Sequence, residues 1–97
     1  MNTVAAKVEF DLFCDWFDHP PAYRVYIHTE GYSELMTERT YIWTGVDYVR
    51  EVVPLNCAPG VYTIVVEPIG EGSFKIRNAT GSENVSWQTT TRFEVRA

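Results

Sequence analysis

Val61-Tyr62-Thr63-Ile64-Val65-Val66-Glu67 is the most strand-prone stretch of the chain. Five of its seven residues are β-branched and one is aromatic, types that suit a pleated surface. Asn56-Cys57-Ala58-Pro59-Gly60 precedes it as a turn by composition, and Pro68 and Gly70-Glu71-Gly72 follow as stop signals. Apolar or aromatic side chains fall on both of its faces. It is therefore expected to be an interior strand, with a neighbour on each side and both faces covered.

Strand signals repeat on either side of this segment. Val8, Phe10 and Leu12 alternate with Glu9 and Asp11, which are expected to face water. Tyr23, Val25 and Ile27 alternate with Arg24, Tyr26 and His28. Ser33–Trp43 is more polar but ends in the β-prone Thr40-Tyr41-Ile42-Trp43. Asp47–Leu55 alternates as well, and Pro54 should end it or mark an edge, since proline has no ladder donor. Ser73–Arg77 and Thr90–Arg96 complete the set, with a polar loop over 78–89 that carries Trp87. Glu34–Arg39 is the one helical candidate, and it lacks an apolar face.

About seven short strands in 97 residues predict a single domain over 1–97. The expected architecture is all-β, a two-layer antiparallel β-sandwich of jelly-roll or immunoglobulin-like form, with a small β-barrel as the alternative. Composition agrees. Val, Ile, Thr, Tyr, Phe and Trp total 41 residues, whereas Ala, Leu and Met total 11.

Charge narrows the partners. The net charge is −5, with two Lys and six Arg, so the basic footprint of a nucleic-acid binder is missing. The same balance argues against an anionic membrane surface, and no apolar run is long enough to span a bilayer. Residues 1–71 carry four bases and eleven acids; residues 72–97 have a balance of +2. The first residues lack a basic segment followed by an apolar one, so the expected location is intracellular or virion-associated. Cys14 and Cys57 have no zinc spacing and are expected to be free, buried thiols, with a disulfide as the alternative. Sequons at Asn78 and Asn84 carry no weight without a secretory signal.

Two constellations are candidate sites. Glu9–Pro21 holds Glu9, Asp11, Asp15 and Asp18, no base, and the aromatics Phe13, Trp16 and Phe17. Gathered carboxylates repel one another unless a cation neutralises them. Asp11, Asp15 and Asp18 are thus the candidate ligands of a calcium ion, the one cofactor the sequence suggests. The second constellation is Trp43, Tyr41, Tyr48 and Trp87, with Thr44-Gly45 as the expected hairpin join. With Trp16, the residues Trp43, Tyr48 and Trp87 are the candidate ligand contacts, an aromatic rim for a sugar or a protein surface. Both groups also have plainer readings: aromatics fill small cores, and acids face water. Catalytic motifs are absent. A small enzyme would have to rely on Cys14 or His28, and His28 reads most simply as an outward strand residue.

The blocks Val8-Glu9-Phe10-Asp11, Pro20-Pro21-Ala22-Tyr23-Arg24-Val25-Tyr26-Ile27 and Pro59-Gly60-Val61-Tyr62-Thr63-Ile64-Val65-Val66-Glu67 cover about half the chain. Their order resembles small β-sandwich modules of the carbohydrate-binding type, and the short sandwich proteins of marine tailed bacteriophages. The resemblance implies a sandwich fold and a non-catalytic binding module for a glycan or a protein partner; it carries no site residue. An architectural subunit or decoration domain, for example of a phage virion, is the alternative. Tyr41–Leu55 has more apolar residues than one sheet face needs, so any homo-oligomer or partner docking is expected to use it.

Overall fold

The computed structural model describes residues 2–16, 18–82 and 84–97. Seven strands form: β1 (Val4–Asp15), β2 (Ala22–Thr29), β3 (Tyr32–Thr40), β4 (Val49–Cys57), β5 (Gly60–Ile69), β6 (Ser73–Arg77) and β7 (Thr90–Val95). They make two antiparallel sheets of order β4-β1-β6 and β3-β2-β5-β7. The sheets face each other without closing into a barrel, so the architecture is the two-layer sandwich.

Period-2 patterning builds the core. Val8, Phe10 and Leu12 from β1 are fully buried against Val25 and Ile27 from β2, Val53 from β4, Ile64 from β5 and Ile76 from β6. Each of these sits one residue from a side chain on the opposite face, as the pleat requires. Tyr62 and Phe93 are directly opposed on β5 and β7, and their rings stack at 5.8 Å.

β5 is interior as expected, paired with β2 on one side and β7 on the other. It runs through Pro68 to Ile69, because Pro68 needs no donor where the strand is ending. Its second face is not covered: Val61 is exposed, while Thr63 and Val65 are half-buried. β branching there serves the pleat rather than a second core.

Several boundaries differ from expectation. β1 runs past Leu12 to Asp15, so Asp11, Phe13 and Asp15 lie along one strand face. β1 is the centre of its sheet. Pro54 lies inside β4, which is an edge strand, so the lost donor costs no ladder bond. β3 stops at Thr40. It belongs to a different sheet from β4, so residues 41–48 cross between layers and no hairpin forms at Thr44-Gly45. A bulge at Met36 shifts the β2–β3 register, which places Arg39 opposite Tyr23.

Arg39 can therefore reach Glu51, the one carboxylate on the inner side of β4. Its Nη1 lies 2.6 Å from Glu51 Oε1, and the Tyr23 hydroxyl donates to Oε2 at 2.5 Å. Cys14 and Cys57 are both buried free thiols. Cys57 stands opposite Val4, at the far end of β1 from Cys14, about 30 Å away at strand rise, so no disulfide can join them.

Candidate functional site

Three connections meet at one end of the sandwich: residues 16–21, 41–48 and 70–72. Pairing puts them there, since Asp15 opposes Ser73, Leu12 opposes Val49, and Ala22 opposes both Thr40 and Ile69. Pro21 is their common contact. Its carbonyl accepts from the Tyr41 backbone N–H at 3.1 Å, and its ring lies against Gly72. A Cβ on Gly72 would meet Pro21 Cγ at 2.7 Å, and φ there is +131°, so only glycine allows this approach.

That arrangement brings Trp16 and Trp43 to the same cleft. Trp16 is half-buried and packs on Tyr41 with ring centroids 5.7 Å apart. Trp43 is 57% exposed. The cleft has a volume of 250 Å³ and is lined by Phe13, Cys14, Asp15, Trp16, Trp43 and Asp47. A second hollow shares Asp15 and Trp16 with it and adds Glu71; a third shares Glu71 and adds Asp18 and His19. Together they form one trough across the loop end. Tyr41 packs behind Trp16, and its hydroxyl is buried. Burial raises its pKa, Cys14 and Asp47 add to the shift, and a backbone hydrogen bond at Cys14 opposes it.

Tyr48 and Trp87 lie elsewhere, on the outer face of the three-stranded sheet. Trp87 contacts Tyr48 at 5.9 Å and Phe13 at 5.7 Å. Both rings are engaged by Arg77, whose guanidinium carbon is 4.1 Å from the Trp87 centroid and 5.0 Å from that of Tyr48. The single aromatic rim expected from sequence is thus two groups that meet at Phe13. Trp16 and Trp43 line one open cleft, whereas Tyr48 keeps 37% exposure on the outer sheet face.

The three candidate calcium ligands are not gathered. Asp11 is buried on the outer face, where Arg50 Nη1 donates to Oδ1 at 2.9 Å; Arg77 and Asn78 donate to Oδ2 at 3.3 and 3.0 Å. Burial opposes its charge, but these donors outweigh that and hold its pKa below the ordinary carboxylate value. Asn78 reaches it from a left-handed turn, φ 55°, that asparagine tolerates. Asp11 is therefore neutralised by arginine and has no free oxygen for a metal. Asp15 and Asp18 are exposed at the loop end. Among the described residues, no three His, Cys, Asp or Glu side chains converge as a cation site would need. Phe17 and Glu83, read with these segments in the sequence, lie outside the described residues.

Cys14 lines the cleft with no histidine beside it. Burial, with Asp15, pushes its thiol up to about 11, away from the nucleophilic thiolate. His28 is half-buried on an outer strand face beside Tyr26, with ring centroids 6.0 Å apart. Asp47 and Glu71 line the trough, and the sequence did not single them out as ligand contacts. A larger hollow of 530 Å³ lies along β7, lined by polar residues including Thr63, Asn84 and Arg92. Gly81 holds the 78–89 segment against that strand: a Cβ there would meet the Glu94 backbone at 3.1 Å. No described helix is long and apolar enough to cross a membrane. Compared with known protein families, curated proteins and solved structures, the chain matches none.

Proposed function

We propose that the protein is a non-catalytic binding module whose ligand surface is the loop end of the sandwich. The ligand is a glycan or a protein partner. One observation carries this reading: three loops tied together at Pro21 hold Trp16 and Trp43 around a single open cleft. Exposed aromatic rings on a rigid framework supply contact area at small entropic cost. The raised pKa of Cys14 and the absence of a histidine in the cleft support a role in binding rather than in reaction. Calcium, if it participates, would enter through Asp15 and Asp18, since Asp11 is already paired. A glycan-array and protein-array screen with and without calcium tests the reading. Binding that Trp43→Ala or Trp16→Ala removes supports it; binding that survives both substitutions places the surface elsewhere.

An architectural role is the second reading. Ile42, Trp43 and Val46 are 72%, 57% and 54% exposed, an apolar segment available to a second copy of the chain. Within Tyr41–Leu55 this segment, not the β4 edge, would make the contact. Pro54 withdraws a donor from that edge, and Arg39 Nη2 reaches the Val52 carbonyl at 3.5 Å. Sedimentation of the parent, Trp43→Ala and Tyr48→Arg at two concentrations separates this from a monomeric binder.

A further inference from the structure

The loop end differs from the rest of the molecule in charge. Asp47, Asp15, Glu71 and Asp18 follow one another along the trough, and no Lys or Arg lines it. The sequence accounts for this. Residues 8–23, 40–49 and 51–74, which supply every lining side chain, contain neither Lys nor Arg. Elsewhere in the described structure the carboxylates Glu9, Asp11, Glu38, Glu51, Glu67 and Glu94 each face a Lys or Arg. Asp15, Asp18, Asp47 and Glu71 have no such partner among the described residues; Glu30 and Glu34, at the opposite end, also lack one, but no tryptophan accompanies them.

Carboxylates alone would be an ordinary solvated face. Here two of them, Asp15 and Asp47, share a cleft with Phe13, Trp16 and Trp43. Aromatic faces attract cations through their quadrupoles, and the arrangement is used once already in this fold, where Arg77 lies between Trp87 and Tyr48 and pairs with Asp11. Rings and carboxylates lining one cleft together describe the complement of a guanidinium or ammonium group.

We propose that the trough receives a basic polypeptide segment, with one Arg or Lys side chain seated between Trp16 and Trp43 against Asp15 and Asp47. Further basic residues of the segment lie along Glu71 and Asp18. This rests on the loop end being the ligand surface, and it narrows the ligand from a glycan or protein to a cationic protein partner. Long-range attraction by an acidic trough would speed association and make it sensitive to salt.

The test titrates a hexa-arginine amide peptide, and separately the neutral cellohexaose, while following tryptophan fluorescence and heat. The variants are Asp15→Asn with Asp47→Asn, Trp43→Ala, and a control of equal charge change at the opposite end, Glu30→Gln with Glu34→Gln. The peptide is expected to bind the parent and the control alike, more weakly at high salt. The Asp pair should lose about fivefold to twentyfold in affinity, and Trp43→Ala roughly threefold to thirtyfold. Equal losses in the Asp pair and the control would reduce the effect to net charge and overturn the proposal. So would cellohexaose binding that needs Trp43 while the peptide does not bind, a result that leaves the ligand surface in place. Peptide binding untouched by Trp43→Ala would overturn the proposal and the ligand surface together.

Discussion

Asp11 and Arg77 stand directly opposite each other on β1 and β6, and the Arg77 Nε donates to the Asp11 carboxylate at 3.3 Å while the Trp87 ring covers the guanidinium. Arg50 closes on the same carboxylate from β4, so one acid ties all three strands of the sheet together.

Replacing Asp11 should therefore do more than remove a surface charge. Asp11→Ala leaves Arg50 and Arg77 facing each other without their counter-ion, and the expected loss is on the order of 3 kcal/mol in urea unfolding. The pH dependence has a definite sign. The folded pKa lies below the unfolded value, so the stabilisation is complete above the unfolded carboxylate range and disappears as pH falls through the folded pKa. Parent and Asp11→Asn should thus converge in stability in acid and separate toward neutral pH. Parallel curves would contradict the assignment.

Hydrogen exchange should be slowest in β5. It has a partner strand on each edge, and Ile64 is fully buried between the sheets. Ile64→Ala is expected to cost about 2–5 kcal/mol through lost burial and the cavity it leaves. Val61→Ala, on the exposed face of the same strand, should cost well under 1 kcal/mol. Comparing the two by denaturant melts checks which face of β5 is core.

Strand positions were legible because each strand has one buried face, and period-2 alternation reports that directly. Val8-Phe10-Leu12 and Tyr23-Val25-Ile27 are core as their spacing implies. Sheet membership was not legible. Tyr41–Tyr48 has the composition of a hairpin, yet β3 and β4 pair with β2 and β1, and local sequence carries no record of which strand lies next door. Asp11 was misread for the same reason. Its alternation points outward, and only the β1–β4 and β1–β6 registers bring Arg50 and Arg77 over it. Trp16 and Trp43, as candidate contacts, do share a cleft, though Trp87 and Tyr48 are drawn away by Arg77. The acidity of the loop end was written in the sequence as the absence of Lys and Arg over three separated stretches. It becomes one feature only when folding brings 16–21, 41–48 and 70–72 together.

The Tyr23–Glu51–Arg39 group should behave as a unit. Glu51 is a buried acid between the layers, held by a hydroxyl from β2 and a guanidinium from β3. Tyr23→Phe is expected to cost about 1.5–3 kcal/mol, as a hydrogen bond to a charged group is lost. Arg39→Met should cost on the order of 3 kcal/mol, because it leaves the buried carboxylate without its cation. With both changed in combination with Glu51→Leu, most of that loss should return, since no buried charge is left unpaired. Additive losses across the triple variant would show that the three side chains act independently.

Both cysteines should be silent in the native state. Cys14 and Cys57 are buried, Cys57 standing on β4 beside the far end of β1, and the Cys14 thiol is pushed up to about 11 by burial and by Asp15. At neutral pH almost none of Cys14 is thiolate, and it is only 4% exposed at the cleft floor. Native protein treated with iodoacetamide should therefore stay unmodified over a period in which urea-unfolded protein takes up two equivalents. A reducing agent should leave the melting temperature unchanged, because there is no bridge to break. Rapid labelling of one thiol in the native protein would show that the cleft floor at Cys14 opens to solvent. In that case Cys14→Ser should abolish the label, while the thiol of Cys57, at the far end of β1, stays protected.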